Sequence, residues 1–385
     1  MKNFLIKQYR KDALFKINHN YLREQFLSNK KNIIKSILKV VKNTDYTLGT
    51  SVNVFENKIK SLLKAKYVVS VGSGTDALML SLKALNVKEG DEVITTPYTF
   101  YATIGAIVSA GAKPVFVDVK DDYNIDEKLI EKKITNKTKA ILPVHWSGRI
   151  CNMKKILQIA KKNKVSVVED SCHAILAEKF GKIAGNFGDF GCFSMHPLKN
   201  LNVWGDGGFV LVKKKKDFEK LMLLRNHGLV GRNKNLIFAY NSRLDSIQAA
   251  VANEMLKKIK YITKKRILNA SILDKYLSVI NDVKIVQRDE ASKEVFHLYE
   301  FRVKKKIKRN PLVSFLRKKK IDAKIHYPVP MHLQPAAKKY GYKKGDFPNA
   351  ELIANTTISL PVHEFISIKQ LKFMATTINY FFSEY

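Results

Sequence analysis

Three short segments of the sequence carry residue types that could bind a phosphate group and activate an amine. The first is the turn Gly72-Ser73-Gly74-Thr75, which lies between an apolar strand and a helical run. Such a turn leaves backbone N–H groups free at the start of a helix, and its small residues let a phosphate approach closely. The spacing is neither the GxGxxG of a dinucleotide site nor the GK[ST] of a P-loop. An ordinary tight turn is the alternative interpretation.

The second segment places two adjacent carboxylates, Glu169 and Asp170, at the end of the strand SVVED. Buried carboxylates are costly unless they have a partner, so the position favours a functional acid. Because side chains alternate along a strand, the two point to opposite faces of the sheet, and Asp170 could simply cap the following segment. His173, three residues later, is a second candidate, with a satisfied core histidine as its alternative.

The third segment is a glycine-rich loop that contains one lysine. A predicted strand ends at Ser194, and Lys199 follows in an apolar stretch that closes with Gly205–Gly208. Burial lowers the pKa of a lysine, which is the property that a Schiff-base lysine needs. The alternative is that Lys199 is one of the chain's many surface lysines.

Together the three segments supply the parts of a pyridoxal phosphate site. The turn would hold the phosphate, Asp170 would keep the pyridine nitrogen protonated, and Lys199 would be the desolvated amine. Such a site also needs an aromatic side chain on one face of the ring, and Phe100 follows the strand EVITT.

The elements that must position these residues are β-branched strands alternating with helices from about residue 66 onwards. This alternation predicts an α/β fold whose large domain has a mostly parallel sheet covered by helices on both faces. Ligands bind beyond the carboxyl ends of strands in such sheets, which is where the three segments lie. The predicted strands are residues 67–71, 92–96, 114–119, 140–146, 166–170, 191–195 and 207–212.

The order and lengths of the predicted helices and strands divide the chain into three parts. We expect a basic helical arm over residues 1–50 and a large cofactor-binding domain over 51–250. A long helical stretch, 246–276, leads into a smaller α/β domain, so that 251–385 forms the linking helix and the C-terminal domain.

Composition excludes several classes of protein. The 385 residues include 45% hydrophobic ones, enough for a full core, so disorder is excluded as the main state. Three cysteines without CxxC spacing exclude a disulfide framework and a thiolate zinc site, and no metal is expected. They favour a reducing compartment, and because the N-terminus has no apolar signal region we expect a cytoplasmic protein.

The charge is strongly positive, with 69 Lys+Arg against 34 Asp+Glu and a formal net charge of +35. The lysine runs are separated by apolar segments, which favours a solvated surface over a nucleic-acid-binding face. The electrostatic field of this positive charge still attracts anionic small molecules. The uncharged stretch 93–112 contains a proline and glycines, so it favours strand, turn and helix over a membrane span.

The sequence resembles the DegT/DnrJ/EryC1/StrS family of sugar aminotransferases, which have the fold of aspartate aminotransferase. The resemblance extends from about residue 20 to about residue 380. It rests on seven blocks in the same order, namely LGTSVNVFENKI (48–59), SGTDAL (73–78), residues 90–119, VVEDSCHA (167–174), FSMHPLKNLNVWGDGG (193–208), YNSRLDSIQAA (240–250) and HYPVPMH (326–332).

The resemblance implies a role for each matching residue. Lys199 matches the lysine that forms the internal aldimine with pyridoxal phosphate, Asp170 the acid beside the pyridine nitrogen, and His173 a residue near the ring. The other matches are Gly74, Thr75 and Ser194 at the phosphate, Phe100 stacked on the ring, Asn241 reaching the phosphate of the neighbouring subunit of a homodimer, and His326 and Tyr327 bordering the sugar.

The implied activity is transfer of an amino group from an amino acid, with glutamate expected, to a nucleotide-linked keto sugar. Relatives often read GEGG after the lysine, whereas this chain reads Trp204-Gly205-Asp206-Gly207-Gly208. That block resembles the branch acting on 3-keto sugars, which favours 3-keto over 4-keto substrates and makes Trp204 a candidate substrate residue.

Two alternatives stay open. One is a dehydratase of the same fold, although the relatives that dehydrate have histidine in place of the lysine. The other is a non-enzymatic basic regulator that binds nucleic acid. It would require a DNA-reading segment, and residues 1–50 contain no convincing helix-turn-helix.

Overall fold

The computed structural model describes residues 15–384 and confirms the predicted α/β fold. Within that range the strands of the large sheet are β1 (Tyr67–Val71), β2 (Glu92–Thr95), β3 (Lys113–Phe116), β4 (Thr138–Ile141), β5 (Ser166–Asp170), β8 (Phe190–Ser194) and β9 (Gly208–Val212). The remaining strands are β6 (Glu178–Lys179), β7 (Lys182–Ile183), β10 (Leu229–Gly231), β11 (Lys234–Asn235), β12 (Val283–Ile285), β13 (Ser292–Lys293), β14 (Tyr299–Val303) and β15 (Thr357–Leu360).

The seven-stranded sheet has the order β1-β9-β8-β5-β4-β2-β3. Every neighbouring pair is parallel except those of β9, which runs antiparallel to both β1 and β8. Alternation along the strands divides their side chains between two cores, so that Val167 packs on one face and Val168 on the other. Both faces are therefore buried, as expected for a parallel sheet between helices.

Helices cover both faces of this sheet and the side of the smaller one. Within the described residues they are α1 (Leu22–Lys42), α2 (Thr50–Leu62), α3 (Gly74–Ala84), α4 (Tyr101–Ser109), α5 (Glu127–Ile130), α6 (Met153–Lys162), α7 (Lys215–Arg225), α8 (Ser246–Leu256), α9 (Ile259–Leu277), α10 (Arg309–Lys318), α11 (Pro348–Thr356) and α12 (Ile368–Glu384). None of the helices within residues 15–384 combines the length and the apolar character that crossing a bilayer requires.

The predicted long helix over 246–276 is two helices, α8 and α9, separated at Lys257 and Lys258. Beyond them the antiparallel sheet β12-β14-β15 forms a third core with α9, α10 and α12. The division of the chain at residues 50 and 250 remains our proposal.

Helix α1, which belongs to the predicted N-terminal arm, packs on α8. Ile33 is fully buried, and the Ser36 hydroxyl donates a 3.0 Å hydrogen bond to Glu254. Two other apolar residues of α1, Leu38 and Val41, are 49% and 40% exposed. One apolar edge of α1 is therefore uncovered in the single chain. Residues 1–14 of the predicted arm lie outside the described residues.

Candidate active site

A cavity of about 360 Å³ opens at the carboxyl ends of β1, β5 and β8, and residues from the C-terminal part of the chain close its other side. The structure brings nine of the predicted site residues to the wall of this cavity. They are Gly74, Thr75, Phe100, Asp170, His173, Ser194, Lys199, His326 and Tyr327.

The turn after β1 starts helix α3 with two backbone N–H groups available to a ligand. The Ser73 side chain accepts a hydrogen bond from the Asp76 N–H, and the Ser73 carbonyl accepts from the Ala77 N–H, so the first bonds of the helix begin after Thr75. A Cβ atom at Gly74 would lie 2.5 Å from Cβ of Ser194. Glycine is therefore required at this position, because the turn packs directly against the end of β8. The free N–H groups and the Ser194 hydroxyl together suit a phosphate.

Asp170 ends β5 in the cavity wall and is 5% exposed. Its Oδ2 accepts a 2.9 Å hydrogen bond from the Thr103 hydroxyl, and its Oδ1 accepts one of 3.2 Å from the Cys172 N–H. The Thr103 hydroxyl lies 2.8 Å from that of Thr99. The carboxylate is thus fixed in orientation by groups on α4 and on its own loop.

Glu169 points to the opposite face of the sheet and is fully buried. It lies 2.8 Å from His145 Nε2 and accepts hydrogen bonds from the backbone N–H groups of Gly185, Phe187 and Gly188. Both oxygens of Glu169 are therefore engaged by groups of the protein. Of the two adjacent carboxylates, Asp170 alone faces the cavity.

Lys199 lies in the loop between β8 and β9, and both polar groups of its backbone are bonded. Its N–H donates to the His196 carbonyl, and its carbonyl accepts from the Tyr21 hydroxyl at 3.2 Å. Burial lowers the pKa of Lys199, while Cys172 and Asp170 partly oppose that shift. The amine is therefore shifted toward the uncharged form that can act as a nucleophile or a base.

Two histidines line the cavity beside Asp170 and Lys199. The Nδ1 of His173 accepts a 3.3 Å hydrogen bond from the Ser147 N–H, which assigns the ring hydrogen to Nε2. The ring centroid of His297 lies 4.2 Å away. Burial, assisted in both cases by the charge of Lys199, lowers the pKa of His173 and of His297 well below the usual value. Both rings are neutral at physiological pH.

Two aromatic side chains, Phe100 and Tyr327, line the cavity. Phe100 precedes α4, is 48% exposed, and has its ring 5.9 Å from that of Tyr327. Tyr327 adopts a positive φ of 50° and also contacts Trp146 at 5.3 Å between centroids. Burial lowers the pKa of its neighbour His326 to about 4.

Two predicted residues lie elsewhere. Trp204 is 37% exposed and packs on Phe26 of α1, with 5.5 Å between ring centroids. Asn241 is exposed and pairs with Asn226. Neither lines the cavity of its own chain, although the adjacent Ser242 carbonyl accepts a 3.1 Å hydrogen bond from Gly72 at the phosphate turn.

The structure adds cavity residues that the sequence analysis did not name. Thr103 could have been found from its place in the first turn of the helix after β2. The others reach the site from distant parts of the chain, and no local pattern marks them. They are His19, Tyr21, Arg266, His297, Lys324 and His363.

The donor set fits pyridoxal phosphate. The α3 turn and Ser194 supply neutral donors to a phosphate, Asp170 offers an oriented carboxylate, Phe100 offers a ring face, and Lys199 offers an amine of lowered pKa. Within the described residues no group of three or more His, Cys, Asp or Glu side chains is placed to hold a metal ion.

Comparison with known proteins gives consistent results. The profile of the DegT/DnrJ/EryC1/StrS aminotransferase family matches residues 27–379. Among curated relatives, a pleiotropic regulatory protein of Geobacillus stearothermophilus is 36% identical, over 94% of this chain and 98% of the relative. The dTDP-3-amino-3,6-dideoxy-α-D-galactopyranose transaminase of Aneurinibacillus thermoaerophilus is also 36% identical, over 93% of this chain and 97% of the relative.

Among solved structures, S. venezuelae DesV in complex with a ketimine intermediate has a TM-score of 0.92. It is 31% identical, and the alignment covers 95% of this chain and 98% of that one. The likeness therefore extends over almost the whole of both chains.

Proposed function

This chain belongs to the DegT/DnrJ/EryC1/StrS aminotransferase family, and on that premise we propose that it is a pyridoxal-phosphate-dependent transaminase acting on a nucleotide-linked keto sugar. The observation that carries the proposal is the placement of Lys199 and Asp170 in one cavity with the phosphate turn at Gly74. Pyridoxal phosphate, when bound, supplies the electron sink for breaking the bond to the α-hydrogen.

Each wall residue has a task in this proposal. The Lys199 Nζ would take the α-proton from the donor's α-carbon and deliver it to the cofactor carbon that carries the nitrogen, and would move a proton in the reverse direction for the sugar acceptor. Its lowered pKa favours the uncharged amine that accepts a proton. Asp170 holds a proton on the pyridine nitrogen by charge complementarity, and Thr103 keeps its Oδ2 oriented. Phe100 would stack on the cofactor ring, and Tyr327 packs against Phe100 beside it.

The finer assignments are a 3-keto sugar as acceptor and glutamate as donor. The name of the Aneurinibacillus relative places its amine on carbon 3, which supports the first. Glutamate is an expectation from the family resemblance. His326 and Tyr327 border the sugar in this proposal, and Trp204 would reach it only through a change in its contact with Phe26 or from a second subunit.

We also propose that the active unit is a homodimer with shared sites. Asn241 is exposed and does not line its own cavity, so it is available to a second chain. Apolar surface is uncovered on α1 and on the segment after β11, where Phe238 is 100% and Leu236 57% exposed.

A cytoplasmic location stays a prediction, supported by three cysteines that form no disulfide.

Two other functions compete with transamination. A dehydratase of the same fold would leave Lys199 without its proton-transfer task. A regulator finds support in the name of the Geobacillus relative, but DNA binding does not require an amine of lowered pKa beside a buried acid.

The experiment is to incubate the purified protein and pyridoxal phosphate with glutamate and a panel of 3-keto and 4-keto sugars linked to UDP or dTDP. Formation of 2-oxoglutarate and an amino sugar in equal amounts supports transamination. Dehydration of the sugar without amine transfer indicates the dehydratase. Absence of reaction between glutamate and every sugar in the panel contradicts transfer of an amino group from glutamate to a nucleotide-linked keto sugar.

A further inference from the structure

The wall of the cavity is built partly by the segment Phe15–Tyr21, which we call the strap. It precedes the family match, which begins at residue 27. Two of its side chains, His19 and Tyr21, reach the cavity. Residues that precede the matched segment therefore form part of the cavity wall.

Hydrogen bonds attach the strap to the C-terminal part of the chain. The N–H groups of Lys16 and Ile17 donate to the Lys320 carbonyl, and the Asp322 N–H donates to the Ile17 carbonyl. The His19 N–H donates to Asp322 Oδ2 at 3.0 Å. This anchoring fixes the position of the His19 backbone relative to the cavity.

The other end of the strap contacts the loop that carries Lys199. Tyr21 is 3% exposed, its ring stacks on His363 at 4.8 Å, and its hydroxyl donates to the carbonyl of Lys199 at 3.2 Å. The strap therefore joins the C-terminal part of the chain to the lysine loop. His19 lies between these two attachments.

The imidazole of His19 has a defined tautomer. Its Nε2 lies 3.2 Å from the Ser359 carbonyl, which can only accept, so Nε2 carries the hydrogen and Nδ1 is an acceptor. Within residues 15–384 no donor is bonded to that Nδ1. Burial, followed by the charge of Lys324, lowers the pKa of His19 well below its usual value. The ring is neutral at physiological pH.

A neutral acceptor favours a hydroxyl group over a phosphate as its ligand. The cation beside it, Lys324, lies 3.4 Å from Asp322 Oδ2, which offsets its charge. The ring centroid of His326 lies 6.0 Å from that of His19. Burial and the charges of Lys324 and Lys199 lower the pKa of His326, so that this second ring is also neutral. The polar surface beside Lys199 at this wall is therefore an uncharged imidazole pair.

We propose that His19 is a specificity-determining residue of the acceptor subsite, where its Nδ1 accepts a hydrogen bond from a hydroxyl of the bound sugar. This inference rests on the proposed function, because it takes a keto sugar as the acceptor. The strap holds the imidazole in place. Because the Ser359 carbonyl fixes the hydrogen on Nε2, the Nδ1 of His19 can bond only to a ligand group that donates a hydrogen bond.

The test separates the two half-reactions in the holoenzyme. His19→Gln keeps a donor for the Ser359 carbonyl and replaces the ring acceptor Nδ1 with an amide oxygen at a different position. Lys16→Gln is the matched control, because Lys16 is an exposed residue of the same strap and does not line the cavity. The probes are glutamate and dTDP-3-amino-3,6-dideoxy-α-D-galactopyranose, with the UDP- and dTDP-linked keto sugars of the panel, and sugar binding is also measured by calorimetry.

We expect His19→Gln to weaken sugar binding and raise the KM for the sugar about 10-fold, the usual effect of losing one hydrogen bond in a buried site. The rate with glutamate alone and the thermal unfolding temperature should match those of Lys16→Gln. Unchanged sugar affinity, or an equal loss with glutamate, overturns the assignment of His19. A wild-type protein that reacts with glutamate but with no sugar instead overturns the proposed acceptor, and the assignment with it.

Discussion

The hydroxyl of Thr103 donates a 2.9 Å hydrogen bond to Oδ2 of Asp170, and both side chains are buried in the cavity wall. The bond joins the first turn of α4 to the end of β5. It leaves the acid with one defined orientation toward the ligand, so the activity should depend on a hydroxyl at position 103.

Thr103→Val preserves the shape of the side chain and removes this donor. We expect kcat to fall about 10-fold, the effect of losing one hydrogen bond to a charged group. Thr103→Ser keeps the hydroxyl and is the matched control. Steady-state kinetics of both variants measure the difference, and full activity of Thr103→Val would show that the bond does not orient the acid.

Substitution of the two adjacent carboxylates, Asp170 and Glu169, should affect different properties, namely activity in the first case and stability in the second. Asp170→Asn removes the charge that faces the cavity, and we expect a loss in kcat on the order of 10²-fold or more with little change in stability. Glu169→Gln instead places an amide N–H₂ among backbone donors. It should lower the free energy of unfolding by about 2 to 4 kcal/mol, with a much smaller change in kcat of the folded fraction.

Kinetics and thermal unfolding of the two variants at one pH separate these effects. Comparable losses of kcat at both positions would mean that the wrong acid has been assigned.

Glu300 should make stability depend on pH. Burial raises its pKa to about 7, although the Trp146 indole donates a 2.6 Å hydrogen bond to its Oε2. The folded protein therefore holds a proton that the unfolded chain releases at lower pH. This contribution to stability is fully present below the ordinary carboxyl pKa and is lost as the pH rises through about 7.

Glu300→Gln keeps an acceptor for Trp146 and removes the titration. The free energy of unfolding of Glu300→Gln, relative to wild type, should rise between pH 5 and pH 8 by on the order of 1 to 3 kcal/mol. Thermal unfolding of both proteins at several pH values measures this difference. A constant difference between variant and wild type across that range would contradict the raised pKa.

Shared sites predict complementation between two inactive variants. Lys199→Ala and Asn241→Glu should each abolish activity, but a heterodimer carries both defects in one site and neither in the other. Co-expression should restore up to about half of the wild-type rate per heterodimer. Heterodimers that form and stay inactive, or an active monomer, would contradict the shared site.

Much of the fold could be predicted from the sequence because its signals are local. The strands Tyr67–Val71 and Ser166–Asp170 have the predicted bounds, since runs of β-branched residues mark them. The break between α8 and α9 was missed because neither proline nor glycine lies at Lys257 and Lys258.

The site was predictable where its residues follow strands of the parallel sheet. Lys199, Asp170 and Gly74 do so, and they line one cavity. His19 and Tyr21 could not be predicted, because they reach the site through contacts with residues 340 and 178 positions later in the chain. Such contacts leave no local pattern in the sequence.

The most direct test of the central claim, that Lys199 is the amine that bonds to the cofactor, is borohydride reduction of the holoenzyme followed by mass spectrometry of its peptides. We predict a pyridoxyl label on Lys199, and no transamination by Lys199→Ala. A label on a different lysine, or undiminished transamination by Lys199→Ala, would contradict the claim.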